Sequence, residues 1–249
     1  MTTDISHAVR TLLGARRSGL QVAPPFALPD RSAVYAIQDG VAEASGPVAG
    51  WKVGARTPTA EPNPAPLLAG ALVASPGRFD GKAMHMIGVE VEISFHIVRD
   101  IAARSQPVGR DEALAAVGDA FVGMEIVDTR LANFKHVDPE WLLADNQMNQ
   151  ALVVGGSIAN WQGLDWANLQ VRLVVDGKTI IDQKGGLGAV DPVRPLAWMI
   201  DHAVRERGGI RKGQAITTGS WTGLLYFQPG AQARGEFVGL GAVRKKNGA

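Results

Sequence analysis

Two glutamates, Glu90 and Glu92, stand one residue apart in the run Val89-Glu90-Val91-Glu92-Ile93-Ser94-Phe95-His96, where apolar and polar residues alternate strictly. Period-two alternation marks a strand. It sends Val89, Val91, Ile93 and Phe95 toward a core and both carboxylates to the other face, about 6.5–7 Å apart along the backbone. Carboxylates so placed repel unless a positive charge lies between them. A half-exposed strand with a solvated acidic face has the same pattern, so the pair alone fixes no chemistry. A second run, Phe121-Val122-Gly123-Met124-Glu125-Ile126-Val127-Asp128-Thr129-Arg130, embeds Glu125 among aliphatic neighbours, where a carboxylate needs a partner. With no cysteine and no convincing histidine cluster, three such oxygen donors suit Mg2+ or Mn2+ better than zinc. Spacing does not show that the two segments meet in space.

The absence of cysteine excludes disulfides, thiolate metal ligands and cysteine nucleophiles, and it fits a reducing cytosol. Lys+Arg 25 against Asp+Glu 24 leaves a formal net charge of +1. No overall field then draws the chain to nucleic acid or an anionic membrane, and an acidic ligand must be held by a local site. The first residues lack a basic segment followed by an apolar core, and no apolar run approaches a spanning helix. The expectation is a cytoplasmic protein without nucleic-acid or membrane partners. At 249 residues, 46% of them hydrophobic, the chain can bury one large core.

The elements that must position these acids are legible in outline. From Ile5 to Arg17, Ile5, Val9, Leu12 and Leu13 recur at helical spacing behind Thr3 and Asp4 as candidate caps, and Asp30 caps a second helix carrying Val34, Ile37 and Val41. These two helices are read as an N-terminal cap over 1–46, ahead of a β-rich catalytic body over 47–249, the whole forming one structural unit. The stretch from Thr57 to Pro66 carries four prolines and is expected to be a loop. Asp176-Gly177 marks a two-residue hairpin turn. A helix is expected from about Pro195 to Arg207, and strands around Ala215–Thr218, Leu224–Phe227 and Glu236–Val243.

Taken in order, eight fragments resemble the hydratase and decarboxylase branch of the fumarylacetoacetate hydrolase superfamily. They are Ala33-Val34-Tyr35-Ala36-Ile37-Gln38, Gly50-Trp51-Lys52-Val53-Gly54, Val89-Glu90-Val91-Glu92, Glu125-Ile126-Val127-Asp128-Thr129-Arg130, Ala144-Asp145-Asn146, Gly155-Gly156, Thr217-Thr218-Gly219-Ser220 and Gly239-Leu240-Gly241. The resemblance implies an α+β fold, a mixed β-roll of the fumarylacetoacetate hydrolase type with an N-terminal helical cap, assembled as a homo-oligomer. It implies Glu90, Glu92 and Glu125 as ligands of Mg2+ or Mn2+, with Asp128 less favoured. Lys52 matches an active-site lysine that could stabilise an enolate or exchange a proton, although a lysine between Trp51 and Val53 could equally face solvent. Asp145 would pair with Lys52 or orient water, with a turn role as the alternative. Thr218, Gly219 and Ser220 would line the substrate end, or form a plain turn. His85, His96, His136 and Trp221 have no counterpart and are left out of the site.

The implied activity is metal-dependent hydration of 2-hydroxypenta-2,4-dienoate (2-keto-4-pentenoate) or a related small 2-oxo or 2-enol acid, in aromatic-compound catabolism. Decarboxylation of a 2-oxo-dienedioate of the 4-oxalocrotonate type is the alternative, and hydrolysis of an acylpyruvate ranks third. A catalytically silent paralogue that binds a small acid is the rival from another class. Two departures bear on the pocket. Met148 and Gln150 stand where relatives carry a small hydroxyl residue and a glycine, and Ala65-Pro66-Leu67-Leu68 replaces an expected acidic-aromatic segment.

Overall fold

Asp4 and Asp30 start the two N-terminal helices, each carboxylate accepting an amide hydrogen bond at 2.9 Å, from His7 and Ala33 respectively. The computed structural model describes residues 4–188, 190–228 and 230–248, so Thr3, the other candidate cap, lies outside the described residues. Helix α1 (Ile5–Ser18) ends at Gly19, whose φ of 67° is the left-handed stop that glycine allows, and α2 (Arg31–Ser45) follows. Three more helices are α3 (Arg110–Ala115), α4 (Pro139–Ala144) and α5 (Val193–Glu206). Leu12 of α1, Val34, Ile37 and Val41 of α2 and Trp141 of α4 form one apolar cluster with Leu131. The N-terminal helices are thereby docked on the segment that follows Glu125.

The strands, in chain order, are β1 (Gly50–Gly54), β2 (Asn63–Leu67), β3 (Leu72–Ala74), β4 (Gly77–Phe79), β5 (Ile87–Ile97), β6 (Ile101–Ala102), β7 (Val117–Val127) and β8 (Asn149–Ile158). They continue as β9 (Gln170–Val175), β10 (Lys178–Lys184), β11 (Gly209–Ile210), β12 (Ala215–Ser220), β13 (Leu225–Phe227), β14 (Ala233–Phe237) and β15 (Gly241–Asn247). An eight-stranded sheet runs β2-β1-β12-β5-β7-β8-β3, with β13 also on β5, and a five-stranded sheet runs β10-β9-β14-β15-β4. The larger sheet is mixed: β1 with β12 and β3 with β8 are parallel, while β5 and β7 are antiparallel.

Val91, Ile93 and Met124 of the larger sheet share one core with Leu173, Phe237 and Val243 of the smaller sheet and with Leu196, Ile200 and Val204 of α5. Each such side chain stabilises the fold by about 1.5–3 kcal/mol on burial. This α+β architecture of curled sheets and few helices agrees with the expected class.

Three boundaries differ from expectation. Residues 63–67 form a strand despite Pro64 and Pro66, because β2 is the outermost strand and pairs only with β1, where a missing N–H is tolerated. Helix α5 begins at Val193, since proline fits the first turn of a helix. The expected strand over 236–243 is two strands, β14 and β15, folded back on each other around Gly239 at φ 81°. Asp176 and Gly177 both take positive φ, 48° and 79°, as a two-residue hairpin turn requires. Among the described residues no helix is long and apolar enough to cross a membrane.

Candidate active site

The register between β5 and β7 sets Glu90 directly opposite Glu125 and Glu92 opposite Gly123. A side chain at Gly123 would run into the side chains of Ser94 and Leu152, so glycine there leaves room for the Ser94 hydroxyl. Strand alternation does the rest. One carboxylate oxygen from each of Glu90, Glu92 and Glu125 lies within 4.8 Å of the others, with Glu92 and Glu125 buried. The two acidic segments therefore meet.

Donors fix one oxygen on each of the two buried acids. Glu125 Oε1 accepts from Lys52 Nζ at 2.5 Å and from Asn149 Nδ2 at 2.8 Å. Glu92 Oε2 accepts from the Thr217 hydroxyl and from the Gly219 amide at 3.1 Å. Ser94 in turn donates to Thr217 at 2.7 Å. Glu125 Oε2 is buried and has no hydrogen-bond partner among the described residues. An orphaned carboxylate oxygen beside two more acids is costly without a cation.

The electrostatics carry the same imprint. Burial first, then repulsion from Glu125, pushes the Glu90 carboxyl up to about 7. Burial, Glu125 and Glu90 together push Glu92 up to about 8. Burial alone would lower the Lys52 ammonium, but Glu125, Glu90 and Glu92 outweigh it and hold Lys52 above its ordinary value. Lys52 is thus a buried cation paired with the acids, not a solvent-facing lysine.

Lys52 also donates to the carbonyl of Gln147 at 3.3 Å. That carbonyl sits in a strained stretch: Asn146, Gln147 and Met148 have φ of 52°, 51° and 61°, left-handed values that cost a non-glycine residue about 1–2 kcal/mol each. Side chains pin the stretch, Asn146 to the Pro66 carbonyl at 3.2 Å and Gln147 to that of Asn63 at 2.7 Å. Lys52, Glu90, Gln147 and Met148 then line a cavity of about 900 Å3 that opens past Arg31 and Arg56.

Two expected assignments need correction. Asp145 is not the partner of Lys52. Its carboxylate is fully buried, with Oδ1 held by Arg130 Nε at 2.6 Å and Arg16 Nη2 at 3.3 Å, and Oδ2 by the Thr129 hydroxyl and the Arg130 amide, each at 3.0 Å. It ties α1 to the segment after β7. Thr218 does not face substrate, since its side chain is fully buried and donates to the Ile93 carbonyl at 2.8 Å. Gly219, at φ 104°, aims its amide at Glu92, and Ser220, opposite Glu92 on the β12–β5 ladder, has a buried hydroxyl without a well-formed hydrogen bond among the described residues, close enough to Glu90 to favour its charged form. The loop supports the carboxylates instead.

Thr217 and Asn149 were not among the expected site residues. Thr217 opens the matched fragment Thr217-Thr218-Gly219-Ser220, where only the last three residues are expected to line the site, and no sequence signal singles out Asn149. Of the residues set aside, His96 stacks on Phe121 with ring centres 4.4 Å apart, Trp221 packs edge-on against Phe237 at 5.1 Å, and Asp128 accepts the amides of Met86 and Thr129 in a turn. Removal of one partner from a buried ion pair costs about 3–5 kcal/mol, so Asp145→Ala is expected to lower the urea-unfolding free energy by that order. Mg2+ binding by the folded variant should change little, and loss of Mg2+ binding without loss of stability would return Asp145 to the site.

Residues 61–246 match the sequence profile of the fumarylacetoacetate (FAA) hydrolase C-terminal family. The chain belongs to the fumarylacetoacetate hydrolase superfamily. Over 159 residues it is 30% identical to a 4-oxalocrotonate decarboxylase of Pseudomonas sp, a match covering 62% of this chain and 58% of that enzyme. The matched stretch therefore spans less than two thirds of that relative's length. The 4-oxalocrotonate decarboxylase from Pseudomonas putida G7, complexed with magnesium and adipate, superposes with a TM-score of 0.81 at 20% identity over 99% of both chains. A fumarylacetoacetate hydrolase from Exiguobacterium antarcticum gives 0.62 at 15% identity, over 82% of this chain and 76% of that one. At those identities the likeness is one of fold, and the fold is the fumarylacetoacetate hydrolase type.

Proposed function

We propose that the protein is a divalent-metal-dependent lyase that decarboxylates a 2-oxo dicarboxylic acid of the 4-oxalocrotonate class. The observation that carries the reading is the convergence of Glu90, Glu92 and Glu125 beside Lys52, with Glu90 and Lys52 lining a cavity of about 900 Å3. The donor set, all carboxylate oxygen with Glu125 Oε2 unpartnered, fits Mg2+ or Mn2+. When bound, such an ion would neutralise the acids and supply a Lewis acid for a chelating 2-oxo acid.

The chain's own residues do the remaining work. Asn149, Thr217 and Gly219 hold the acids in place, and the cavity admits the substrate with its 2-oxo end toward Lys52. In decarboxylation the bond between the distal carboxyl carbon and the chain breaks. Its electron pair moves through the conjugated system to the 2-oxygen, and carbon dioxide leaves. The Lys52 ammonium stabilises the charge that develops there and is the acid at hand to return a proton, giving the 2-hydroxydienoate.

Two points favour this over hydration of the dienoate. The curated relative is named a decarboxylase. Hydration also needs a group that activates water at the far end of the substrate, and Asp145 is committed to Arg130 and Arg16. The test measures carbon dioxide released from 2-oxohex-3-enedioate with Mg2+ or with EDTA, beside loss of 2-hydroxypenta-2,4-dienoate absorbance. Mg2+-dependent release is the expected result. Consumption of the dienoate without release from the diacid would make the protein a hydratase, and turnover of neither would favour a silent acid-binding relative.

A further inference from the structure

The cavity has a charged outer end that the metal-side chemistry does not use. Arg31, Arg56, Glu61 and Glu140 line it together with Lys52 and Glu90. Arg31 is committed, with Nη2 2.9 Å from Glu140 and Nη1 2.6 Å from Asn63. Arg56, by contrast, is exposed, and its guanidinium has no hydrogen bond or ion pair among the described residues. Its backbone passes close to Gly188. A side chain at Gly188 would collide with the carbonyls of Ala55 and Arg56, at 2.9 and 2.8 Å, and Arg194 donates to the Ala60 carbonyl at 2.8 Å.

Arg56 follows Lys52 by four residues and lies two past the end of β1, a Cα span of at most about 14 Å. Both residues line the same cavity, so a short diacid with one end beside Lys52 can present its other end to Arg56. We infer that Arg56 is the specificity determinant of this site, pairing with the distal carboxylate of a diacid and so selecting dicarboxylic over monocarboxylic 2-oxo acids. This rests on the reading of the cavity as a 2-oxo acid site. A planar guanidinium with both terminal nitrogens free offers the paired donors that a carboxylate accepts best.

The pairing has a kinetic signature. The distal carboxylate loses its charge as it becomes carbon dioxide, so its bond to Arg56 is full in the bound substrate and fades toward the transition state. Arg56 therefore strengthens binding without accelerating the bond cleavage. A residue that merely shaped the loop would leave no such split.

The experiment compares 2-oxoadipate with 2-oxohexanoate, which differ only in the distal carboxylate, by calorimetry on the Mg2+-loaded full chain. The parent is expected to bind the diacid about tenfold more tightly or better, and Arg56→Met to lose most of that preference while binding the monoacid as before. Arg56→Lys should keep part of it. On 2-oxohex-3-enedioate, Arg56→Met should raise KM by about tenfold without lowering kcat. Equal binding of the two acids by the parent overturns the inference, as does an Arg56→Met preference equal to the parent's, which would point to pairing of Arg56 with Glu61. An Arg56-dependent preference without carbon dioxide release would leave the distal site standing and remove the decarboxylase reading. Release without the preference would do the reverse.

Discussion

Glu92→Gln is expected to abolish Mg2+-dependent turnover and to weaken Mg2+ binding by about a hundredfold or more. A unit charge about 4 Å from another is worth on the order of 4 kcal/mol near a protein surface, and the ion carries two. The substitution keeps the shape of the side chain, and its remaining carbonyl oxygen can accept from Thr217 and Gly219 as Glu92 does. The fold should survive. Indeed, above about pH 8, where Glu92 is ionised, the metal-free variant should melt above the metal-free parent, because one of three mutually repelling carboxylates has gone.

The same repulsion sets a pH dependence. Glu90 and Glu92 are raised from 4.5 to about 7 and about 8 by burial and by neighbouring acids, so the metal-free native state binds protons that the unfolded chain has released. The contribution of these two acids to its stability is therefore fully present below the unfolded value of about 4.5 and is lost as pH rises through 7 to 8. Mg2+ competes with those protons, so its affinity should climb over the same window with proton release. Calorimetry in buffers of different ionisation enthalpy measures both. A Glu92→Gln variant that keeps the parent's Mg2+ affinity would make Glu92 an ordinary buried acid.

What the sequence disclosed and what it concealed follow from the range of the interactions. Caps at Asp4 and Asp30, the face of Glu90 and Glu92, and the Asp176-Gly177 turn are local rules acting over two to four residues, and each was legible. The meeting of Glu90 with Glu125 needed a strand register, and the ordered family resemblance stood in for that missing geometry. Asp145 pairs with Arg130, 15 residues away, and with Arg16, 129 residues away, and neither pairing has a local signal in the sequence. Thr218 was misplaced for a subtler reason. Strand alternation turns either Thr217 or Thr218 toward Glu92, and the register between β12 and β5, with an irregularity between Thr217 and Ser220, decides for Thr217. The left-handed run from Asn146 to Met148 was invisible because none of its residues is glycine, the usual marker of positive φ.

Lys52→Met is expected to lower kcat by about two to four orders of magnitude while leaving Mg2+-dependent binding of an unreactive 2-oxo acid within about tenfold of the parent. The ammonium touches Glu125 Oε1 at 2.5 Å and the Gln147 carbonyl at 3.3 Å. In the resting protein it therefore offsets ligand charge and anchors the strained 146–148 stretch. Both duties predict a cost in the metal-free state: without Lys52 the three acids lose their only cation among the described residues, and the metal-free variant should melt below the parent. Saturating Mg2+ supplies two positive charges to the same cluster and should recover most of that loss. Stability and catalysis can thus be separated by measuring melting and turnover at saturating Mg2+. If Lys52 acts only as a counter-charge, Mg2+ restores both. If it also meets the charge that develops on the 2-oxygen, Mg2+ restores the melting temperature and leaves kcat low, because that contact is made chiefly in the transition state. Recovery of full turnover at saturating Mg2+ would remove Lys52 from the chemistry and leave it a structural partner of Glu125.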